Sequence, residues 1–223
     1  MMTTTGTTIT IVDGRVGNAY PVASLDQAGI AVGDVAELLA SAFVDLPQAQ
    51  WLVADADERF GPMREHFGLT IEYALRHGHI DIRSDRRAVA VWAHAPDGYL
   101  PEPEPDYAAR LKQGTGKHYE MFETFDSTLT AHHLPGVGFH HLMCIGVPPE
   151  FQGHGYGTQL LDLHHGRLDE MAMPASLEAA TLRNVTQYQR HGYTSCGTYH
   201  LPLDGPAMHR MWREPRRGTA HSP

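Results

Sequence analysis

Apolar residues recur at helical spacing in two segments near the start of the chain. Residues 32–43 and 60–76 carry apolar side chains at three- and four-residue steps, which place one apolar stripe on each predicted helix. Gly78 follows the second segment and is typical of a helix C-terminus. Short apolar segments predict strands at residues 9–12, 20–25, 79–83 and 88–94. This order of elements is typical of a mixed α/β domain.

The second half of the chain continues the alternation of strands and helices after an irregular break. Residues 101–105 read Pro-Glu-Pro-Glu-Pro, which excludes a regular helix and a central strand. Further periodicity predicts helices at 118–131, 157–171 and around Tyr188, and strands at 140–147, 174–180, 193–201 and 208–213. We place substrate specificity in residues 96–138, because segments added to a rigid scaffold tend to carry it. The alternative is that this segment simply covers one face of the sheet.

Length and composition indicate one ordinary globular domain. The chain has 223 residues and a formal charge of −9, which argues against a nucleic-acid partner. Cys144 and Cys196 show no paired spacing, which favours a reducing, cytoplasmic location. No apolar segment approaches the ~20 residues of a membrane span. We expect an N-terminal extension at 1–19, the domain at 20–213 and a tail at 214–223.

A glycine-containing loop joins an apolar strand to an amphipathic helix within residues 145–161. Backbone N–H groups in such a loop, together with the helix N-terminus, are suited to bind a phosphate group. A P-loop is disfavoured because no Lys precedes Thr158. A dinucleotide fingerprint fits Gly153 and Gly155 but has Thr158 at its third glycine position. Glu178 lies near the distance expected of a ribose-binding acid, so a nicotinamide dinucleotide stays open as a ligand.

A third loop pattern, Gln/Arg-x-x-Gly-x-Gly/Ala, is met in full. Gln152, Gly155 and Gly157 occupy its three defined positions. The pattern resembles the pyrophosphate loop of the GNAT acetyltransferases. Residues 140–147 resemble the central strand of that family, which ends in the motif Gly-Val-x-Pro, here residues 146–149. Residues 176–179 resemble its next strand.

A second motif extends this resemblance. Residues 184–193 contain Asn-x-x-x-Tyr-x-x-x-Gly-Tyr, with Asn184 and Tyr188 four positions apart on one face of a predicted helix. Their spacing is similar to that of the puromycin-acetyltransferase-like branch of the family. The resemblance covers residues 139–200 strongly and the earlier part of the chain more faintly.

The resemblance implies both a fold and a cofactor. The fold is the mixed α+β, GNAT-type acyl-CoA N-acyltransferase fold, with helices on both faces of a central mixed sheet that splays after the strand ending at Val147. The glycine loop would hold the pyrophosphate of acetyl-CoA, the central strand would pair with the pantetheine arm, and nearby amides would stabilise an oxyanion. The cofactor-binding residues that this implies are Cys144, Ile145, Gly146, Val147, Gln152, Gly153, His154, Gly155, Tyr156, Gly157, Thr158, Asn184 and Tyr188. No metal ligand set is expected.

The candidate catalytic residues follow from the resemblance and from side-chain chemistry. The resemblance assigns Tyr188 as the general acid for the departing thiolate, and a core tyrosine is the alternative. His140 is the preferred general base, because His titrates near neutral pH and only one of His140 and His141 can face the substrate on an alternating strand. Glu123 or a water chain could replace it as the base. Glu178, Glu123 and His141 are the candidate substrate contacts.

We therefore expect direct transfer of an acetyl group from acetyl-CoA to a primary amine of a small molecule, such as an antibiotic or a metabolite. A ping-pong reaction through Cys144 is disfavoured, because a buried strand Cys usually behaves as a small apolar residue. A non-catalytic acyl-CoA sensor and an NAD-dependent oxidoreductase remain alternatives. The chain is expected to be a monomer or a homodimer that contacts neither nucleic acid nor a membrane.

Overall fold

A mixed eight-stranded sheet organises the chain. The computed structural model describes residues 8–12, 19–22, 25 and 28–216. The strands are β1 (Thr8–Val12), β2 (Ala19–Val22), β3 (Gly78–Arg83), β4 (Val89–Ala95), β5 (Phe139–Gly146), β6 (Ala175–Ala179), β7 (Thr194–His200) and β8 (Ala207–Arg213). Their order across the sheet is β2-β1-β3-β4-β5-β6-β8-β7. The pairs β1–β3 and β5–β6 are parallel, and the other neighbours are antiparallel.

Helices cover both faces of this sheet, as predicted. They are α1 (Val32–Phe43), α2 (Pro47–Leu52), α3 (Ala56–His77), α4 (Tyr107–Thr115), α5 (Tyr119–His132), α6 (Tyr156–Glu170) and α7 (Leu182–Arg190). Side chains alternate along β4, so that Val89 and Val91 belong to the core under α1 and α3. Ala90 and Trp92 belong to the opposite core under α6 and α7.

Two helices, α2 and α4, were not predicted, and a feature of the sequence explains why each was missed. Pro47 was expected to end an element, but it occupies the first turn of α2, where its missing N–H costs no hydrogen bond. Helix α4 follows the proline-rich break directly and buries just Leu111 and Thr115, so its apolar stripe is too short to recognise. Helix α3 also begins earlier than predicted, because the Asp55 side chain caps it by accepting from the Asp57 amide at 3.0 Å.

The sheet begins earlier in the chain than the expected domain boundary at residue 20. Strand β1 pairs in parallel with β3 from Thr8↔His79 onward, and Ile9 and Ile11 are buried in the core under α1 and α3. Residues 1–7 of the predicted N-terminal extension and residues 217–223 of the predicted tail lie outside the described residues. Across the described part of the chain, every helix is too short or too polar to cross a membrane.

The sheet splits between β5 and β6. These strands pair at three positions, from His140↔Ala175 to Leu142↔Leu177. On its other side, β5 remains paired with β4 as far as Gly146. The predicted splay is therefore present, but it opens after Leu142 rather than after Val147, because β6 diverges while β5 continues along β4.

Helix α1 fixes the end of β5 at the point where the sheet has opened. A Cβ atom on Gly146 would lie 2.8 Å from Leu39 Cδ2 and 3.3 Å from Ala42 Cβ. Leu39 is itself fully buried, so it has no free space into which to move. Glycine is favoured here because any side chain would force Leu39 and Ala42 of the helix to shift within the core.

We predict that Gly146→Ala lowers the free energy of unfolding by about 1–3 kcal/mol, because the added methyl group overpacks the contact between β5 and α1. Gly166→Ala is the matched control, since its Cβ atom in α6 would meet open space. Removing an internal helical glycine should raise stability by about 0.5–1 kcal/mol. Urea unfolding of both variants measures the difference, and equal effects would show that the contact is not tight.

Candidate active site

The glycine loop has the backbone conformation that close approach of a ligand requires. Gly153 and Gly155 adopt left-handed conformations, with φ of 81° and 75°, and a Cβ on either residue would meet open space. Gly155 is the N-cap residue of α6, so the amides of the first helical turn face the loop. The Gln152 side chain fixes the loop by donating from Nε2 to the Val147 carbonyl oxygen at 3.1 Å.

Two arginines beside the loop were missed by the sequence analysis. The Arg83 guanidinium lies 3.9 Å from the centre of the Tyr156 ring and donates to the Gln159 side chain. The Arg87 guanidinium lies 4.8 Å from the centre of the Phe151 ring. Both arginines belong to the β3–β4 hairpin, which is remote in sequence from the loop. Asp85 pairs with the Arg83 guanidinium at 2.7 Å, so the positive charge that the hairpin adds to the N-terminal dipole of α6 comes mainly from Arg87.

The opened part of β5 contains a β-bulge. Its register with β4 passes from Leu142↔Trp92 directly to Cys144↔Val91, so Met143 is the additional residue. The Cys144 thiol is buried, and burial raises its pKa far above the ordinary value. A thiol that resists ionisation is a poor nucleophile, which argues against a ping-pong reaction through Cys144.

Tyr188 lies on α7 beside this opening and is buried. Its ring packs edge-on against Tyr193, with ring centres 5.7 Å apart. Burial raises the pKa of the Tyr188 phenol well above its ordinary value, and the nearby Cys144 raises it further. Tyr188 lies near the opened strand and carries its proton at neutral pH, as any tyrosine does. The raised pKa makes it a weaker proton donor, so its position rather than its acidity favours it as a general acid.

Asn184 has a local structural role. The Thr181 hydroxyl donates to the Asn184 side-chain oxygen and accepts from the Asn184 amide at 3.2 Å. Thr181 is the N-cap of α7, so these two residues form the helix cap. The contact of Asn184 with a cofactor stays a prediction.

A large cavity lies on the α1 and α3 side of the sheet and reaches the opening at Cys144. Its volume is about 960 Å³, and much of its wall comes from residues 96–138, including α4 and α5. The carboxyl-bearing residues along the wall are Glu102, Glu123, Asp126 and Glu178. None of the described residues that line it is Lys or Arg.

Three predicted substrate contacts, His141, Glu178 and Glu123, line this cavity together. His141 Nε2 lies 3.2 Å from Glu178 Oε2, and His141 Nδ1 lies 2.8 Å from Ser176 Oγ. Burial alone would raise the pKa of the Glu178 carboxyl, but His141 and further positive neighbours hold it below the ordinary value. Glu123 accepts a hydrogen bond from the Tyr119 hydroxyl at 2.5 Å.

The preference for His140 as the general base is wrong, because its side chain lies on the opposite face of the sheet. His140 Nδ1 lies 3.0 Å from His164 Nε2 on α6, and its ring stacks on His94 at 3.9 Å. Burial, together with the imidazoles of His94 and His164, lowers the pKa of His140 to about 2. A group that remains neutral and remote from the cavity cannot take a proton from a bound amine. His141 occupies the position on the cavity side.

His140 belongs to a buried polar network under α6. Both oxygens of Asp81 are engaged, one by His164 Nδ1 at 2.8 Å and the other by Arg167 NH1 at 2.8 Å. His79 Nε2 lies 3.0 Å from the second oxygen of Asp81. The network connects β3, β5 and α6, so it stabilises the face of the sheet on which the glycine loop is built.

Comparisons with known proteins identify this fold. No family model matches the chain. A Schizosaccharomyces pombe protein named as an uncharacterized N-acetyltransferase is 32% identical over 92 residues, which are 38% of this chain and 37% of that protein. The chain thus matches little more than a third of the length of this relative.

A solved structure from Corynebacterium glutamicum, described as histone acetyltransferase HPA2 and related acetyltransferase, superposes with a TM-score of 0.62. The identity is 24%, and the superposition covers 85% of this chain and 93% of that one. The chain therefore has the mixed α+β fold of this acetyltransferase structure, which agrees with the resemblance of its loop and strand motifs to the GNAT acetyltransferases. The puromycin-acetyltransferase-like branch stays a prediction.

We predict that the protein loses stability as the pH falls from about 6.5 towards 4. Burial, followed by the charges of His164 and His79, lowers the pKa of His94 to about 4, whereas the unfolded chain binds a proton near pH 6.5. The unfolded state then holds more protons, which favours unfolding at acid pH. For His94 the loss reaches about 2 kcal/mol at most at pH 5.

Urea unfolding of wild type and His94→Leu at pH 7 and pH 5 measures this contribution. Leucine cannot be protonated and also removes a buried Nε2 atom that has no hydrogen-bond partner. The variant should therefore lose less stability between the two pH values than the wild type. An equal loss in both proteins would show that His94 does not remain neutral when folded.

Proposed function

We propose that the protein transfers an acetyl group from acetyl-CoA to a primary amine of a small molecule, by direct attack in a ternary complex. The observation that carries this proposal is the gap between β5 and β6. The glycine loop lies at the end of β5, Tyr188 and Cys144 lie beside the gap, and the acidic cavity opens onto it from the other face. A candidate phosphate-binding loop, a proton donor and an amine pocket therefore meet at this gap.

The residues around the loop fit the chemistry of acetyl-CoA. Left-handed glycines with open space above them allow a pyrophosphate to approach the backbone of residues 152–158, and Arg87 adds nearby positive charge. Residues 143–146 have no β6 partner within the described pairing, so their backbone groups can bind an extended pantetheine arm. When bound, acetyl-CoA supplies the activated acetyl thioester.

The cavity fits a cationic amine that has an apolar body. Its acidic side chains attract an ammonium group, and the described lining offers no Lys or Arg to repel it. When Nδ1 donates to Ser176 Oγ, Nε2 of the neutral His141 imidazole is unprotonated and can accept a proton from the amine. The Glu178 carboxylate, 3.2 Å from Nε2, then stabilises the imidazolium. Glu123 remains a rival proton acceptor. The many apolar lining residues suit an antibiotic or metabolite larger than a simple alkylamine.

On the other side of the reacting centre, Tyr188 protonates the departing thiolate. Its phenol is kept in the protonated form by burial, and it lies close to Cys144 on the opened strand. Backbone amides near the bulge at Met143 can stabilise a developing oxyanion, because the strand there is free from β6. A cytoplasmic location agrees with this use of acetyl-CoA and with the two unpaired cysteines.

We predict that acetyl-CoA raises the melting temperature, whereas NAD and ATP do not. A ligand present at ~1,000 times its dissociation constant adds about 4 kcal/mol of stability, which corresponds to about 8–16 °C for a chain of this size. Differential scanning fluorimetry with the three ligands makes the comparison. A shift with NAD alone would support the oxidoreductase, and no shift with any ligand would refute the assignment of the loop.

We further predict that Tyr188→Phe lowers kcat by about 100-fold while the dissociation constant of acetyl-CoA changes little, because the variant removes just the donated proton. Tyr193→Phe is the matched control, since it deletes a hydroxyl that is bonded to His165 Nε2 at 3.1 Å instead. Thiol release in the presence of a panel of amines gives the rate. Full turnover by Tyr188→Phe would overturn this role, and acetyl-CoA binding without turnover on any amine would favour the sensor.

A further inference from the structure

Three potential metal ligands meet in the wall of the cavity. They are His133, which follows α5, His141 on β5 and Glu178 on β6. Each offers one ligating atom, and these atoms all lie within 4.8 Å of one another. We propose that these residues form a binding site for a divalent transition-metal ion of the Zn²⁺ type. The sequence analysis expected no metal, because nothing in the linear spacing of these residues indicates a ligand set.

The closest pair of ligands already has a suitable separation. In tetrahedral zinc sites with bonds of about 2.0–2.1 Å, two ligand atoms lie about 3.3 Å apart. His141 Nε2 and Glu178 Oε2 are separated by 3.2 Å. The His133 ring is centred 4.9 Å from the His141 ring, and its ligating nitrogen lies within 4.8 Å of both other ligand atoms, so a side-chain rotation of His133 can complete the site.

An outer hydrogen bond orients the central ligand. Ser176 Oγ lies 2.8 Å from His141 Nδ1, and the two residues are direct partners in the β5–β6 register. This contact directs the remaining nitrogen, Nε2, towards Glu178. Metal-bound histidines almost always make such a second hydrogen bond, which fixes the ring and its tautomer.

The surroundings leave room and favourable charge for an ion. The three ligands face the cavity, so water or an amine can occupy a fourth position, and Glu123 and Asp126 add negative charge nearby. Arg210 is the opposing charge, since it pairs with Glu178 in the strand register. Its NH1 lies 3.5 Å from the His132 carbonyl oxygen, next to His133, and its charge acts on the Glu178 carboxylate, so this one arginine opposes a cation that the carboxyl groups of the cavity wall attract.

Two other groups of potential ligands in the described part of the chain are less suitable. In the first group, His79, Asp81 and His164 already bind one another, Arg167 and His140. In the second group, Asp162, His165 and His191 lie beside Arg213 and Arg216, whose positive charges oppose a cation. Of these three groups, the cavity group is the one whose members line an open cavity together with further carboxyl groups.

A bound ion would occupy the position that the proposed function assigns to the ammonium group of the amine. Zn²⁺ should therefore compete with the amine and raise its apparent KM, without displacing acetyl-CoA from the glycine loop. Binding of the ion itself does not depend on acetyl transfer, so the two proposals can fail separately.

Isothermal titration of the chelator-treated full chain with Zn²⁺ tests the site. We expect binding of one ion per chain, weakened at least tenfold in both His133→Ala and Glu178→Gln. His191→Ala, which removes a ligand from the group near Arg213, is the control and should bind like the wild type. Circular dichroism and melting temperature confirm that each variant is folded.

Co²⁺ provides a second readout, because its visible absorption reports ligand geometry directly. A tetrahedral spectrum that is lost in Glu178→Gln supports the site. The proposal is overturned by an absence of saturable Zn²⁺ binding, or by binding that survives both cavity variants. Loss of binding in His191→Ala alone would assign the ion to the other group.

Discussion

The architecture of the site depends on the short pairing between β5 and β6. A parallel pair that ends after three positions leaves the second half of β5 hydrogen-bonded on one side only within the described sheet. Exposed strand edges normally attract another strand, and in the proposed function an extended ligand pairs with this edge instead. The loop, the bulge and Tyr188 are placed around this opening, and helix α1 holds the far end of β5 in position through Gly146.

Much of the fold could be read from the sequence because its signals are local. The strand, glycine loop and helix over residues 139–170 follow directly from apolar periodicity and turn chemistry, and α6 starts within one residue of its predicted position. Helix α4 and the two arginines beside the loop could not be found in the same way. Their positions are set by tertiary packing and by a hairpin far away in the sequence, so no local pattern marks them.

The incorrect choice between His140 and His141 shows where strand periodicity is insufficient. Alternation establishes that the two side chains lie on opposite faces, but it does not say which face carries the cavity. That information comes from α5 and the segment before β5, which cover one face, and from α6, which covers the other with partners for His140. A histidine that faces α6 and a neighbouring histidine that faces the cavity are therefore indistinguishable until both faces are assembled.

The cavity wall has one more consequence, which concerns how this protein can diverge. Most of the residues that shape the cavity enter the fold in a single excursion between β4 and β5, whereas the glycine loop and Tyr188 come later in the chain. Under the proposed function, changes confined to that segment would alter which amine is accepted and leave the glycine loop and Tyr188 in place. New selectivity could then arise by exchange of one contiguous segment of the chain, without loss of activity along the way.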